Sequence, residues 1–115
     1  MSKLFRNFAS KSDGMSSREV TDMISARVRK SEPTAKVLLF GSRARGDARP
    51  DSDWDVMVLI NDDAVDKRWK MSGDLIDLGW DIDKMINPIV YTHSEWKQRS
   101  FTPFYKNVMH DKIEL

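Results

Sequence analysis

The chain has 115 residues, 40% hydrophobic and 32% charged, with a formal net charge of +1 and no cysteine. That length makes a single domain, 1–115, burying about 65% of its unfolded surface. The missing cysteines exclude disulfides, thiolate zinc sites and cysteine nucleophiles. No apolar run approaches the roughly 18 residues of a membrane span, and the basic N-terminus lacks the h-region and cleavage site of a secretory signal. A soluble, cytoplasmic protein with no membrane association is therefore expected.

The charge is unevenly placed. Residues 1–49 hold eleven Lys/Arg against five Asp/Glu, and residues 50–115 hold eight against thirteen. The basic half ends in Arg43, Arg45 and Arg49, and the acidic half opens with Asp51, Asp53 and Asp55. This polarity suits a site that takes both an anion and a cation. The net charge of +1 provides no broad basic face, which argues against direct nucleic-acid binding.

Residues 1–14, with Leu4, Phe5 and Phe8 among polar neighbours, read as a loose arm or a short amphipathic helix. Ser16 followed by Glu19 is a capping box, with Met15 and Val20 as a hydrophobic staple. The helix it opens runs to about Lys30 and turns Val20, Met23, Ile24 and Val28 to one side. Pro33 stops it. Residues 35–40, AKVLLF, form the continuous apolar run of a strand buried on both faces. Gly41, Ser42 and an arginine-rich turn with Gly46 and Pro50 follow.

Residues 53–60, DWDVMVLI, alternate as a second strand, with Asp53, Asp55, Met57 and Leu59 on one face. Asn61 caps a helix over roughly 63–78, expected to face Val65, Trp69, Ile76 and Leu75 inward, with Gly79 as its C-cap. Residues 80–91 read as an edge strand, because Pro88 cannot donate to a ladder. Thr92 with Glu95 makes a second capping box for a helix to about Arg99, and Pro103 starts a last short helix whose Phe104, Val108 and Ile113 can pack back. The four tryptophans, Trp54, Trp69, Trp80 and Trp96, stand at core spacing, and His93 and His110 read as surface or capping groups. The order implies an α/β (α+β) domain: a small mixed sheet with helices packed mainly on one side.

The chemistry concentrates in GSRARGDARPDSDWD, residues 41–55. Gly41 lets a backbone approach phosphate closely, and the Ser42 hydroxyl and nearby N–H groups are donors. Asp53 and Asp55, two apart on a strand, project to the same side and can share divalent cations. Arg43 and Arg45 are candidates to neutralise phosphate, although Arg45 can instead tie the loop to Asp47 or Asp51.

This stretch, continued into the apolar strand, resembles the signature of the minimal nucleotidyltransferases of the DNA polymerase β-like superfamily, in particular small stand-alone bacterial or archaeal members. That signature is Gly-Ser, ten residues, then Asp-x-Asp entering a hydrophobic strand, and here it is met by Gly41, Ser42, Asp53 and Asp55 with Arg43, Arg45, Gly46 and Ser52 between.

The resemblance implies the nucleotidyltransferase fold and transfer of a nucleoside monophosphate from an NTP, ATP foremost, to a hydroxyl, with pyrophosphate released. It implies two Mg2+ ions, replaceable by Mn2+, on Asp53 and Asp55, and Gly41, Ser42, Arg43, Arg45 and Ser52 around the nucleotide. It further implies a helical partner of the HEPN type, the transferase being the antitoxin of the pair, and it is compatible with an oligomer. The family's third carboxylate falls, counting back from Thr92, near residues 87–89, which carry no acid. Asp83 is the expected substitute, as catalytic residue and metal ligand, with Asp81 second. Without either, the chain would be a weak catalyst or a nucleotide-binding, regulatory module.

Overall fold

The computed structural model describes residues 14–115, so the expectation for the N-terminal arm lies outside the described residues. Helix α1, Ser17–Ser31, opens as the sequence indicates. The Ser16 hydroxyl accepts from the Glu19 N–H while the Glu19 carboxylate accepts from the Ser16 N–H. It buries Val20, Ile24 and Val28, and Met15 and Met23 pack beside them.

Strand β1, Lys36–Phe40, is followed by α2, Ser42–Arg45, a single turn, and by β2, Trp54–Ile60. A 3-10 segment, Asp62–Lys67, leads into α3, Arg68–Ile82. Strand β3, Ile86–Thr92, runs into α4, His93–Gln98, through the Thr92–Glu95 capping box; α5, Pro103–Asp111, and β4, Ile113–Glu114, complete the chain. The sheet order is β3-β2-β1-β4, with β1 antiparallel to β2 and β4, and β2 parallel to β3. Pro88 thus sits on an edge strand, where a missing donor is tolerated.

Strand alternation divides the core. Val37, Leu39, Trp54, Val56, Val58 and Ile60 pack under α1 and α3, whereas Leu38, Phe40, Met57 and Leu59 meet Trp96 and Val108 of α4 and α5. The two long helices cover one face. On the other, Trp96 stacks on Tyr91 and meets Phe104 edge-on, and this smaller cover leaves the Asp55 end of the strands partly open.

Four sequence expectations change. Helix α3 passes through Gly79 and ends at Ile82, closed by Asp83 in the left-handed conformation (φ 57°). The chain turns back so tightly that the Lys84 N–H donates to the Gly79 carbonyl, and a Cβ at 79 would strike the Lys84 carbonyl, so this glycine serves a close crossing within the helix. Residues 80–82 are accordingly helical and β3 starts at Ile86. Finally, α3 buries Met71, Leu75, Leu78 and Ile82, while Val65, Trp69, Ile76 and Trp80 face solvent. Ile113 likewise lies exposed in β4.

Candidate functional site

The register brings the motif together. Phe40 at the end of β1 pairs with Asp55, so Gly41 leaves the sheet directly beside the Asp55 side chain. Gly41 takes φ 73° and ψ −158°, a conformation open to glycine alone, and a Cβ there would overlap Asp55 Oδ2. Glycine is thus required twice, by its backbone and by the carboxylate against it. The turn that follows folds onto Gly41, whose carbonyl accepts from the N–H groups of Ala44 and Arg45, both at 3.0 Å. The N–H groups of Ser42 and Arg43 open this turn, the position at which a helical turn has no acceptor of its own for its first donors.

Asp55 is half-buried in β2, and Asp53, one residue before the strand, is exposed. By strand alternation both belong to the face with Met57 and Leu59. On the parallel side Asp55 pairs with Asn87, whose Nδ2 donates to Asp55 Oδ1 at 3.1 Å. The neighbour of Asp55 across the sheet is therefore a neutral amide.

Asp83 is elsewhere. It closes α3 and lines a cavity of about 340 Å³ with Arg43, Trp80, and Trp54 and Ile86, the last two belonging to the core face under the long helices. Trp54 and Ile86 immediately precede Asp55 and Asn87 in their strands, so alternation turns them to the opposite face. Asp81 is exposed on α3. Among the described residues no group of three or more His, Cys, Asp or Glu could hold a metal ion. The two-carboxylate set still suits Mg2+, which commonly takes one or two protein carboxylates and fills its sphere with phosphate and water oxygens.

The polar residues between the two halves act on the loop. Arg43 Nη2 donates to the carbonyls of Pro50 (3.1 Å) and Ser52 (2.9 Å), and its guanidinium lies 4.4 Å from the Trp54 ring centroid. Ser52 closes the same loop, its hydroxyl accepting from the Arg49 N–H at 2.8 Å. Arg45 bridges Asp47 (3.3 Å) and Asp111 (3.2 Å), one of the two loop partners expected for it plus the end of α5. The hydrogen bond to Asp111 is the main cause holding the Arg45 guanidinium above its ordinary value. The Asp111 carboxyl is pulled below the usual range, first by its bond to His110 and then by Arg45. Arg43, Arg45 and Ser52 thus shape the strap that carries Asp53.

A glycine turn packed on a strand-borne carboxylate, on a four-stranded mixed sheet, defines the site of a mixed α/β domain. Residues 22–112 match the nucleotidyltransferase domain family, and the chain belongs to that family. No curated protein shows significant sequence similarity to it. Among solved structures it is similar to a protein regarded as a minimal nucleotidyltransferase, with 21% identity, a TM-score of 0.59, and 89% of this chain and 98% of that one covered. A toxin–antitoxin crystallised with AMP-PNP is similar at 21% identity and TM-score 0.53, covering 81% of this chain and 69% of that one. A point mutant of the toxin–antitoxin MntA-HpeT is similar at 23% identity and TM-score 0.55, covering 83% of this chain and 70% of that one. At these identities the likeness is one of fold.

Asn87 is the site residue that sequence reasoning missed. The spacing from Thr92 points to it, but it carries an amide where the resemblance implies an acid, and the nearest acid, Asp83, lies upstream.

Proposed function

We propose that the chain is a metal-dependent nucleotidyltransferase that moves a nucleoside monophosphate from an NTP, with ATP the first candidate, to a hydroxyl of a protein or small molecule. The contact of Gly41 with Asp55 carries this reading. A turn built to approach phosphate touches the carboxylate best placed to hold a phosphate-bound cation. Asp53 and Asp55 would hold Mg2+, or Mn2+ in its place; bound there, the metal would neutralise the triphosphate and acidify the acceptor hydroxyl.

The chain's own groups do the rest by positioning. The Ser42 hydroxyl and the first N–H groups after Gly41 would receive the terminal phosphates. Arg43 and Ser52 hold the strap that carries Asp53. The acceptor oxygen forms its bond to the α-phosphorus, the bond to the bridging oxygen breaks, and pyrophosphate leaves. Asp53, exposed at the entrance to β2, is the carboxylate open to take the acceptor's proton. The toxin–antitoxin structures of the same fold support a role as the antitoxin of such a pair, with a helical HEPN-type partner supplying the acceptor.

A second reading rests on Asn87: with an amide where a third carboxylate would stand, the chain would bind nucleotide and turn it over slowly or not at all. Incubation with each α-labelled NTP, Mg2+ and candidate acceptors separates the two. Label transfer and pyrophosphate release, abolished by Asp55→Asn, supports the enzyme. Nucleotide binding without transfer to any acceptor supports the module.

A further inference from the structure

Helix α3 carries two apolar ridges, and the fold uses only one. Met71, Leu75, Leu78 and Ile82 face the sheet. On the opposite side Trp69, Gly73, Ile76 and Trp80 follow the spacing i, i+4, i+7, i+11, which confines them to an arc of about 60° on a helix of 3.6 residues per turn. Trp69 is 81% exposed and Trp80 82% exposed. This is the seam of a helix pair rather than scattered surface hydrophobics. Gly73 lies at its centre, and a Cβ added there would meet nothing within 4 Å. Gly is among the poorest helix formers, and nothing within the described fold needs it at this point. A glycine between two indoles does serve the close approach of another helix backbone.

We infer that this ridge is the interface of a homodimer, formed by α3 packing antiparallel against α3 of a second copy. The ridge is complementary to itself in that direction. A two-fold axis between Gly73 and Ile76 sets each Gly73 against Ile76 of the other copy and each Trp69 against Trp80. Along one flank, Lys70 then falls between Asp77 and Asp81 of the other copy, twice by symmetry. The other flank presents Ser72, small and uncharged, and ends at Gly79, which the returning chain covers. A parallel pairing would set Lys70 against the Ser72 flank and leave the aspartates unmatched. Lys70 pairs in this structure with Asp74 of its own helix at 2.9 Å, and its side chain is 71% exposed, free to be shared. Four indoles at roughly 200 Å² each bring about 800 Å² to the contact, a large part of the roughly 1,200 Å² at which stable interfaces begin.

Sedimentation equilibrium on the full chain across the micromolar range tests this. The wild type is expected to sediment as a dimer at high concentration. Gly73→Leu, and separately Trp69→Ser with Trp80→Ser, should give monomers with an unchanged helical signal, since neither set touches the core. Lys70→Asp should weaken association at least tenfold, and mixing it with the Asp77→Lys, Asp81→Lys variant should restore a dimer of the two. A wild type that stays monomeric at every concentration overturns the inference. So does a dimer that survives the double tryptophan substitution, or a ridge that binds only a different helical protein.

Discussion

Replacing Asn87 by aspartate exchanges one amide for one carboxylate at the point where the sheet registers Asp55 against its parallel neighbour. The present contact, Asn87 Nδ2 to Asp55 Oδ1 at 3.1 Å, is a hydrogen bond to a carboxylate, a class worth about 1.5–3 kcal/mol. Asn87→Asp removes it and sets two carboxylates together. At that separation and an effective dielectric constant near 20, their repulsion is about 5 kcal/mol before solvent screening, and the partial exposure of Asp55 reduces it further. The variant should therefore be less stable than the wild type in EDTA by about 2 kcal/mol, a melting temperature lower by about 8 °C.

Divalent cations should reverse the sign, because the new carboxylate would stand as a third ligand beside the proposed pair Asp53 and Asp55. Calorimetric titration with Mg2+ and Mn2+ should show at least tenfold tighter binding to Asn87→Asp, about 1.4 kcal/mol, and the melting temperature should recover as the site fills. Transfer activity, where the missing acid limits it, should rise. A variant indifferent to both cations would mean that Asp55 and residue 87 do not face a metal.

Gly41→Ala forces an alanine into the glycine-only region and its Cβ into Asp55 Oδ2; a stability loss of about 1–3 kcal/mol is expected, together with loss of nucleotide binding, read by denaturant unfolding and titration with a non-hydrolysable NTP. Arg43→Met keeps the packing on Trp54 but releases the carbonyls of Pro50 and Ser52; amide exchange over residues 49–53 should quicken with the core unchanged, and NTP affinity should fall. Glu95 is held below the usual carboxylate range, chiefly by Arg68 at 2.7 and 2.8 Å and then by the Thr92 N–H. A depressed carboxyl stabilises the fold above its unfolded value of about 4.3 and loses that contribution as pH falls through the lower folded value. Unfolding curves should therefore show the wild type losing more stability between pH 5 and 3 than Glu95→Gln, and equal slopes would contradict the assignment.

The parts legible in the sequence are those governed by local chemistry. Two capping boxes, at Ser16 with Glu19 and at Thr92 with Glu95, mark helix starts because both partners lie within one turn. The β1 and β2 strands follow from an apolar run and from alternation, and Pro88 marks its own strand as an edge. Where tertiary context decides, the pattern misleads. Helix α3 has two apolar ridges of equal period, and only the sheet beneath chooses which is buried, so periodicity alone points Trp69 and Ile76 inward. Gly79 carries the signal of a helix end but is needed for the return of the chain across it. At the site, the spacing of Gly41, Ser42, Asp53 and Asp55 is visible because it lies within one hairpin. The partner of Asp55 comes from a parallel strand about thirty residues on, and only the register discloses it as Asn87.

On the proposed function, a metal-bound nucleoside triphosphate lies against the Gly41 turn and the Asp53 and Asp55 carboxylates. A crystal grown with Mn2+ and a non-hydrolysable NTP, recorded at the manganese edge, tests it most directly. An anomalous peak is expected within ligand distance of the Asp53 and Asp55 carboxylates, with the triphosphate lying over Gly41 and Ser42. A peak in the cavity beside Asp83 and Trp80, or nucleotide bound away from the Gly41 turn, would contradict it.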